Sequence, residues 1–304
     1  MFPYTGVLGL SPDVNGDNYL TLGVPLPQHL KNIGKIAKAY VGIDMQKDPN
    51  AQSTLTLGKF DTSKFRNKTE KFENLKWFKV ARNTTRFAWR HEMKNVFYAY
   101  ESFDDGFINE AVFDSFVGGI YLPLNEWKVM ISRIQKNLTD QKKNYLICDT
   151  TTKYACYYQG ECKFNKDDWK EIDFNFIDDR AYEILPDNYL LDAKDKDGFN
   201  ICNVGLYGNG ANTSEYILGD VFMQSMYVML DYENSAFALN GRYVPVSKIG
   251  EKRVRDDGTG SGSGNTLWII IGIVAAVLVL AGVIGFIIVR QKNRRLQANL
   301  AKYE

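Results

Sequence analysis

The chain has 304 residues, 45% of them hydrophobic and 13% aromatic. That composition excludes a disordered polymer and supports one or two domains with a substantial core, while a formal net charge of +1 leaves no global field to attract nucleic acid.

The first residues, MFPYTGVLGLSPDV, carry neither a basic start nor a long apolar core, so they do not read as an export signal. Short strands follow. STLTLGKF places Leu55 and Leu57 on one side, KWFKV and NVFYAY are rich in aromatic and β-branched residues, and EIDFNF places Ile172, Phe174 and Phe176 on one face. Asp105-Gly106 and Asp178-Asp179 mark chain reversals, and Asp104, Asp105, Asp178 and Asp179 are expected in solvated turns. One helix stands out after Pro123, because Trp127, Met130, Ile131, Ile134 and Leu138 form a single apolar stripe. The pattern predicts a mainly β domain with one or two short helices.

Cys148, Cys156, Cys162 and Cys202 form an even, clustered set, which reads as two disulfides in an oxidising compartment. A zinc site would need CxxC-like spacing or histidines, and only His29 and His91 are present, neither expected in acid–base work. No metal or cofactor is predicted. Asn67, Asn83, Asn137 and Asn212 begin Asn-X-Ser/Thr acceptors for glycosylation. Residues 249–266 end in a Gly/Ser spacer, and 267–289 form an uncharged apolar run. As a helix rising ~1.5 Å per residue that run spans a ~30 Å hydrocarbon core. After Val289 come five basic residues and one acid, net +4, leaving −3 for the chain before them. The expectation is a single-pass protein with a lumenal or extracellular ectodomain and a basic cytoplasmic tail over 290–304.

The stretch AVFDSFVGGIYLP, with YILGDVFMQSMYVMLDYENSAFAL further on, carries a resemblance to the pepsin-like aspartic proteases. FPYTGVLGL, LTLGKFD, WFKV and EILPDNYLL resemble other segments of that family, in the family's order. The resemblance covers residues ~4 to 243 and implies an all-β fold, with a partial N-terminal lobe over 1–60 and a complete C-terminal lobe over 61–248. It implies that Asp114 is the second-lobe catalytic aspartate and Ser115 its bracing hydroxyl. Val7, Leu8 and Gly9, and Ile217, Leu218 and Gly219, are then the segments that thread the two aspartate loops. The interval Cys162 to Cys202 corresponds to the family's usual C-terminal-lobe disulfide.

Hydrolysis in this family needs two facing carboxylates that share a proton, one acting on water and one polarising the scissile carbonyl. No first-lobe Asp-Thr-Gly loop is seen in this sequence, and neither Asp13 nor Asp61 lies in a setting that replaces it. Phe116 stands where the family has glycine, and Val117 where it usually has threonine. The expectation is an N-terminally truncated, membrane-anchored endopeptidase acting on polypeptides and inactive as this chain. A tethered binding or structural pseudoprotease is the alternative. Residues 1–60 are expected to lack their pairing strands and to leave exposed edges.

Overall fold

The computed structural model describes residues 8–12, 24–48, 50–80, 88–102, 109–140, 146–162, 169–176, 178–210 and 213–249. The chain divides into a unit from Met1 to Gly250 and a second from Glu251 to Glu304. The second unit lies outside the described residues, and with it nearly all of the expected linker, the apolar run 267–289 and the basic tail. The turn expected at Asp105-Gly106 lies outside them too. No described helix is long and apolar enough to cross a membrane.

In chain order the strands of the first half are β1 (Tyr40–Asp44), β2 (Thr54–Leu57), β3 (Trp77–Lys79), β4 (Trp89–Tyr98), β5 (Glu101–Ser102), β6 (Asn109–Phe113), β7 (Ile120–Pro123), β8 (Ile147–Asp149) and β9 (Ala155–Gln159). The second half supplies β10 (Ile172–Phe176), β11 (Arg180–Ile184), β12 (Leu190–Lys194), β13 (Asn200–Val204), β14 (Leu206–Asn209), β15 (Glu215–Leu218), β16 (Tyr227–Asp231), β17 (Ala236–Asn240) and β18 (Tyr243–Pro245). Helices among the described residues include α1 (Leu26–Asn32), α2 (Leu124–Asp140), α3 (Pro186–Tyr189) and α4 (Asp220–Gln224).

Three sheets organise these strands. A five-stranded sheet runs β2-β1-β16-β17-β3, a nine-stranded sheet runs β14-β7-β15-β6-β4-β10-β11-β18 with β5 beside β4, and a four-stranded sheet runs β12-β13-β9-β8. The small sheet is stapled by both disulfides, Cys148–Cys156 across β8 and β9, and Cys162–Cys202 joining the chain after β9 to β13. Closing loops of these lengths restricts the unfolded chain by an amount on the order of 2–4 kcal/mol each.

The predicted helical stripe is realised in α2, where Trp127, Met130, Ile131, Ile134 and Leu138 are all buried. The indole N–H of Trp127 donates to the Leu206 carbonyl at 3.1 Å, fixing the helix against β14. Ile172, Phe174 and Phe176 are also buried, but so are Asp173 and Asn175 between them. Strand β10 therefore has no solvent face, because it lies inside the nine-stranded sheet with cover on both sides.

Two expectations need correction. Within residues 1–60, β1 pairs antiparallel with both β16 and β2, so Tyr40 to Leu57 is integrated into the five-stranded sheet. Burial is continuous from Val41 to Asp44 on β1 and along all of β16, so the two strands share a core, and within this segment only β2 has an open edge. The second concerns Asp178, which is half-buried in the β10–β11 turn rather than solvated. Its Oδ1 accepts the Arg180 N–H at 3.0 Å, whereas Oδ2 has no hydrogen-bond partner.

Desolvation, reinforced by Asp179, pushes the Asp178 carboxyl up to about 6 from 3.8. The folded protein thus holds a proton that the unfolded chain has released between these values, so this residue's contribution to stability falls as pH rises from about 4 to about 6. Asp178→Asn keeps the acceptor for Arg180 and removes the buried charge. Thermal unfolding is expected to show the variant more stable than the parent at about pH 7, with the difference shrinking toward about pH 4. An unchanged difference across that range would contradict the assignment.

Candidate active site

Strands β6 and β7 are consecutive in the chain yet not neighbours in the sheet. Strand β15 lies between them, parallel to β6 and antiparallel to β7. The connection from residue 114 to 119 must therefore cross the end of β15, and it does so over Gly219.

Backbone bonds fasten the crossing. The Asp114 N–H donates to the Leu218 carbonyl at 3.2 Å, Gly219 N–H to the Gly119 carbonyl at 2.9 Å, and Asp220 N–H to the Val117 carbonyl at 2.9 Å. A side chain on Gly219 has nowhere to go: its Cβ would lie 2.2 Å from the Val117 oxygen and 2.3 Å from the Gly119 oxygen. Gly119 is required for its conformation as well, with φ at +110° and the Tyr207 ring beside it. Ile217, Leu218 and Gly219, the second expected threading segment, are the end of β15 and the glycine that this loop crosses.

Asp114 lies at the start of the loop, half-buried, with Oδ1 accepting the Phe116 N–H at 3.0 Å. Ser115 is exposed beside it. Both line a cleft of about 240 Å³ whose other walls include Leu8 to Ser11, Ile43, Trp89, Val228 and Leu230. Among the described residues that line the cleft, Asp114 is the only carboxylate.

The opposite wall is placed by a single carbonyl. Leu10 oxygen accepts the Trp89 indole N–H at 2.5 Å and the Tyr232 hydroxyl at 2.6 Å, and those two rings meet edge to face. Leu8 is 52% exposed, and a Cβ on Gly9 would meet nothing within 4 Å. The described part of the first expected threading segment thus borders open space, in contrast to Gly219; Val7 lies outside the described residues. Phe116 is 67% exposed at the cleft mouth and is not among the residues with positive φ. Its ring lines the rim of the cleft while staying largely in solvent, and its backbone lies outside the left-handed region that favours glycine.

The remaining candidates lie elsewhere. Asp61 caps a short 3-10 turn, accepting from Ser63 N–H and hydroxyl. Asp13 lies outside the described residues. His29 is exposed on α1, while His91 on β4 packs against Phe78 and Phe237, where burial lowers its pKa. Asn67 is half-buried, with its side-chain oxygen held by Thr69, and Asn137 is half-buried on α2 beside the Tyr98 hydroxyl. Asn83 and Asn212 lie outside the described residues.

Two residues that shape the site escaped the sequence reading. Asp220 accepts the Gly119 N–H at 2.5 Å, closing the loop from the other side. Arg90, with a side chain only 2% exposed, pairs with Glu110 at 2.6 Å and Glu215 at 3.2 Å, joining β4, β6 and β15 next to the aspartate loop. The acid after Ile217-Leu218-Gly219 was a visible signal for Asp220; a lone arginine among strand residues offered none for Arg90.

The model of the eukaryotic aspartyl protease family matches residues 2–240. No curated protein matches the chain.

Proposed function

Because the chain belongs to the eukaryotic aspartyl protease family, we propose that it is a pepsin-like aspartic-type endopeptidase domain in which Asp114 is the second-lobe carboxylate. The observation that carries this reading is the Asp114 loop, threaded by β15 and Gly219 and opening on a cleft that Leu8 to Ser11 complete.

The chemistry then sets a condition. One carboxylate cannot both take a proton from water and polarise the scissile carbonyl, since the paired mechanism depends on two acids whose proximity keeps a proton between them. With Asp114 as the only carboxylate among the described lining residues, the chain alone binds polypeptide without hydrolysing it. Catalysis requires a second aspartate facing Asp114 across the wall formed by Leu8 to Ser11. Val117 lacks the hydroxyl with which many family members meet substrate, and exposed Phe116 offers an aromatic contact at the mouth instead. No cofactor enters this mechanism.

The same reading places residues 267–289 across a lipid bilayer, with the cleft on the lumenal or extracellular side and 290–304 in the cytoplasm. The charge pattern around the apolar run supports that orientation. The raised pKa of Asp178, and that of Glu70, which burial also raises, favour the folded state under mildly acidic conditions. A non-catalytic tethered module is the second reading, favoured by the single lining carboxylate.

Cleavage of an unstructured polypeptide at acid pH tests the proposal. The chain alone is expected to give no cleavage, and a chain carrying an Asp-Thr-Gly lobe joined ahead of Met1 is expected to cleave in a manner blocked by a statine-type inhibitor. Failure of the joined protein to cleave while it binds that inhibitor would favour the non-catalytic reading.

A further inference from the structure

Residues 59–79, KFDTSKFRNKTEKFENLKWFK, set a lysine directly before an aromatic residue four times, at Lys59, Lys64, Lys71 and Lys76. In the fold this segment wraps the outer face of the five-stranded sheet. Phe65 and Leu75 are buried against Tyr227, Met229 and Ala238. The other rings stay at the surface: Phe60 stacks on Tyr40 with centroids 4.6 Å apart and lies 5.8 Å from Phe72 and 5.6 Å from Trp77. Phe72 is 40% exposed, and Tyr40, Phe60 and Trp77 are half-buried.

The charges around these rings are unequally matched. Lys64 and Arg66 are paired with Asp44. Lys59, Lys71 and Lys76 are exposed and form no salt bridge among the described residues, against the carboxylates of Asp61, Glu70 and Glu73 on the same segment, of which Glu70 is held by Arg180. Rings with apolar bodies, ringed by unpaired ammonium groups, match the chemistry of an interface between anionic headgroups and acyl chains.

Position singles out a lipid surface over other polyanions. Arg180 donates to the Asn74 carbonyl at 3.0 Å and to Glu70 at 2.7 Å, and it is paired in register with Pro245 on β18. The patch thus adjoins the strand by which the chain leaves the domain. Beyond Ile249, the last described residue after β18, 17 residues (250–266) precede the apolar run, and a random-coil chain of 17 residues has a root-mean-square span of ~23 Å. Strand β16 adds an orientation: Val228 and Leu230 line the Asp114 cleft, whereas Tyr227 and Met229 lie under the patch. The two surfaces are therefore on opposite faces of one sheet.

We propose that the face formed by Tyr40, Phe60, Phe72 and Trp77, with Lys59, Lys71 and Lys76, docks on an anionic lipid surface and holds the Asp114 cleft facing away from it. The proximity part of this inference rests on reading 267–289 as a bilayer span.

Bromine-labelled lipids test it through Trp77. The full chain, carrying Trp268→Phe to remove the indole of the apolar run, is mixed with phosphatidylcholine vesicles with or without phosphatidylserine, all with brominated acyl chains. Trp89, Trp127 and Trp169 are buried, so surface quenching reports on Trp77. Quenching is expected only with phosphatidylserine, and Lys59→Glu, Lys71→Glu and Lys76→Glu together are expected to weaken it on the order of 100-fold. Circular dichroism of this exposed-site variant checks its fold. Equal quenching with both vesicles, or none with either, overturns the proposal, as does tight binding to single-stranded RNA without phosphatidylserine-dependent quenching. Flotation with neutral vesicles in high salt reports on the span alone, so its failure would remove that reading while the quenching still decides the docking surface.

Discussion

Gly219→Ala is expected to destabilise the domain by ~3 kcal/mol or more, a cost at the upper end for overpacking because nothing at the collision can rotate away. The added Cβ meets two carbonyl oxygens, those of Val117 and Gly119, at 2.2 and 2.3 Å. Both belong to the backbone of the aspartate loop, so relief requires moving the loop itself and breaking the bonds from Gly219 and Asp220 that hold it. The loss should therefore be seen twice, in a lowered urea midpoint and in faster hydrogen exchange at the amides of residues 117–119. Gly9→Ala is the matched control. A Cβ there meets nothing within 4 Å, so its effect should stay within about 0.5 kcal/mol. Equal costs at the two glycines would mean that threading does not fix the Asp114 loop.

The second large effect is predicted for Arg90→Ala, at ~2–4 kcal/mol. The guanidinium is buried and satisfies two carboxylates on the neighbouring strands β6 and β15. Its removal leaves Glu215, with a side chain 15% exposed, without that countercharge; Glu110, at 39% exposed, regains water more easily and reduces the total. Arg90→Met fills the volume and should recover part of the packing loss but not the charge loss. Combining Arg90→Met with Glu215→Gln should then cost less than the two changes added separately, because each alone strands the other's partner. Chemical denaturation of the two single variants and the double variant checks the coupling, and strict additivity would contradict the ion cluster's role.

Some of this architecture was readable in the residues because local pattern and tertiary environment agree. The stripe from Trp127 to Leu138 has helical spacing and one buried face, so periodicity was sufficient. The Asp178-Asp179 reversal between EIDFNF and AYEIL likewise became the β10–β11 hairpin. The cysteine cluster became two disulfides for a similar reason, since its members are close in sequence and lie in or beside the same small sheet.

Features that depend on distant strands were not readable. Whether Tyr40 to Leu57 found a partner was decided by β16, nearly two hundred positions later, and no local signal announces that pairing. Asp178 looked like an ordinary turn residue, and only the packing around the hairpin withdraws its solvent. At the candidate site, AVFDSFVGGIYLP and ILGD located the loop and its threading strand by resemblance. The physical reason for Gly219 emerged only when two carbonyls were found on either side of it. Phe116, which stands where the family has glycine, is 67% exposed and lies at the mouth of the cleft, a placement that no local pattern announced.

The proposed function makes Asp114 one half of a catalytic pair. The most direct measurement is polypeptide cleavage at acid pH by the chain alone, by the chain joined to an Asp-Thr-Gly lobe, and by that joined protein carrying Asp114→Asn. The account predicts no cleavage by the first, cleavage by the second, and loss of that cleavage in the third with the fold retained. Cleavage by the chain alone that disappears with Asp114→Asn, or cleavage by the joined protein that survives it, would contradict the central claim.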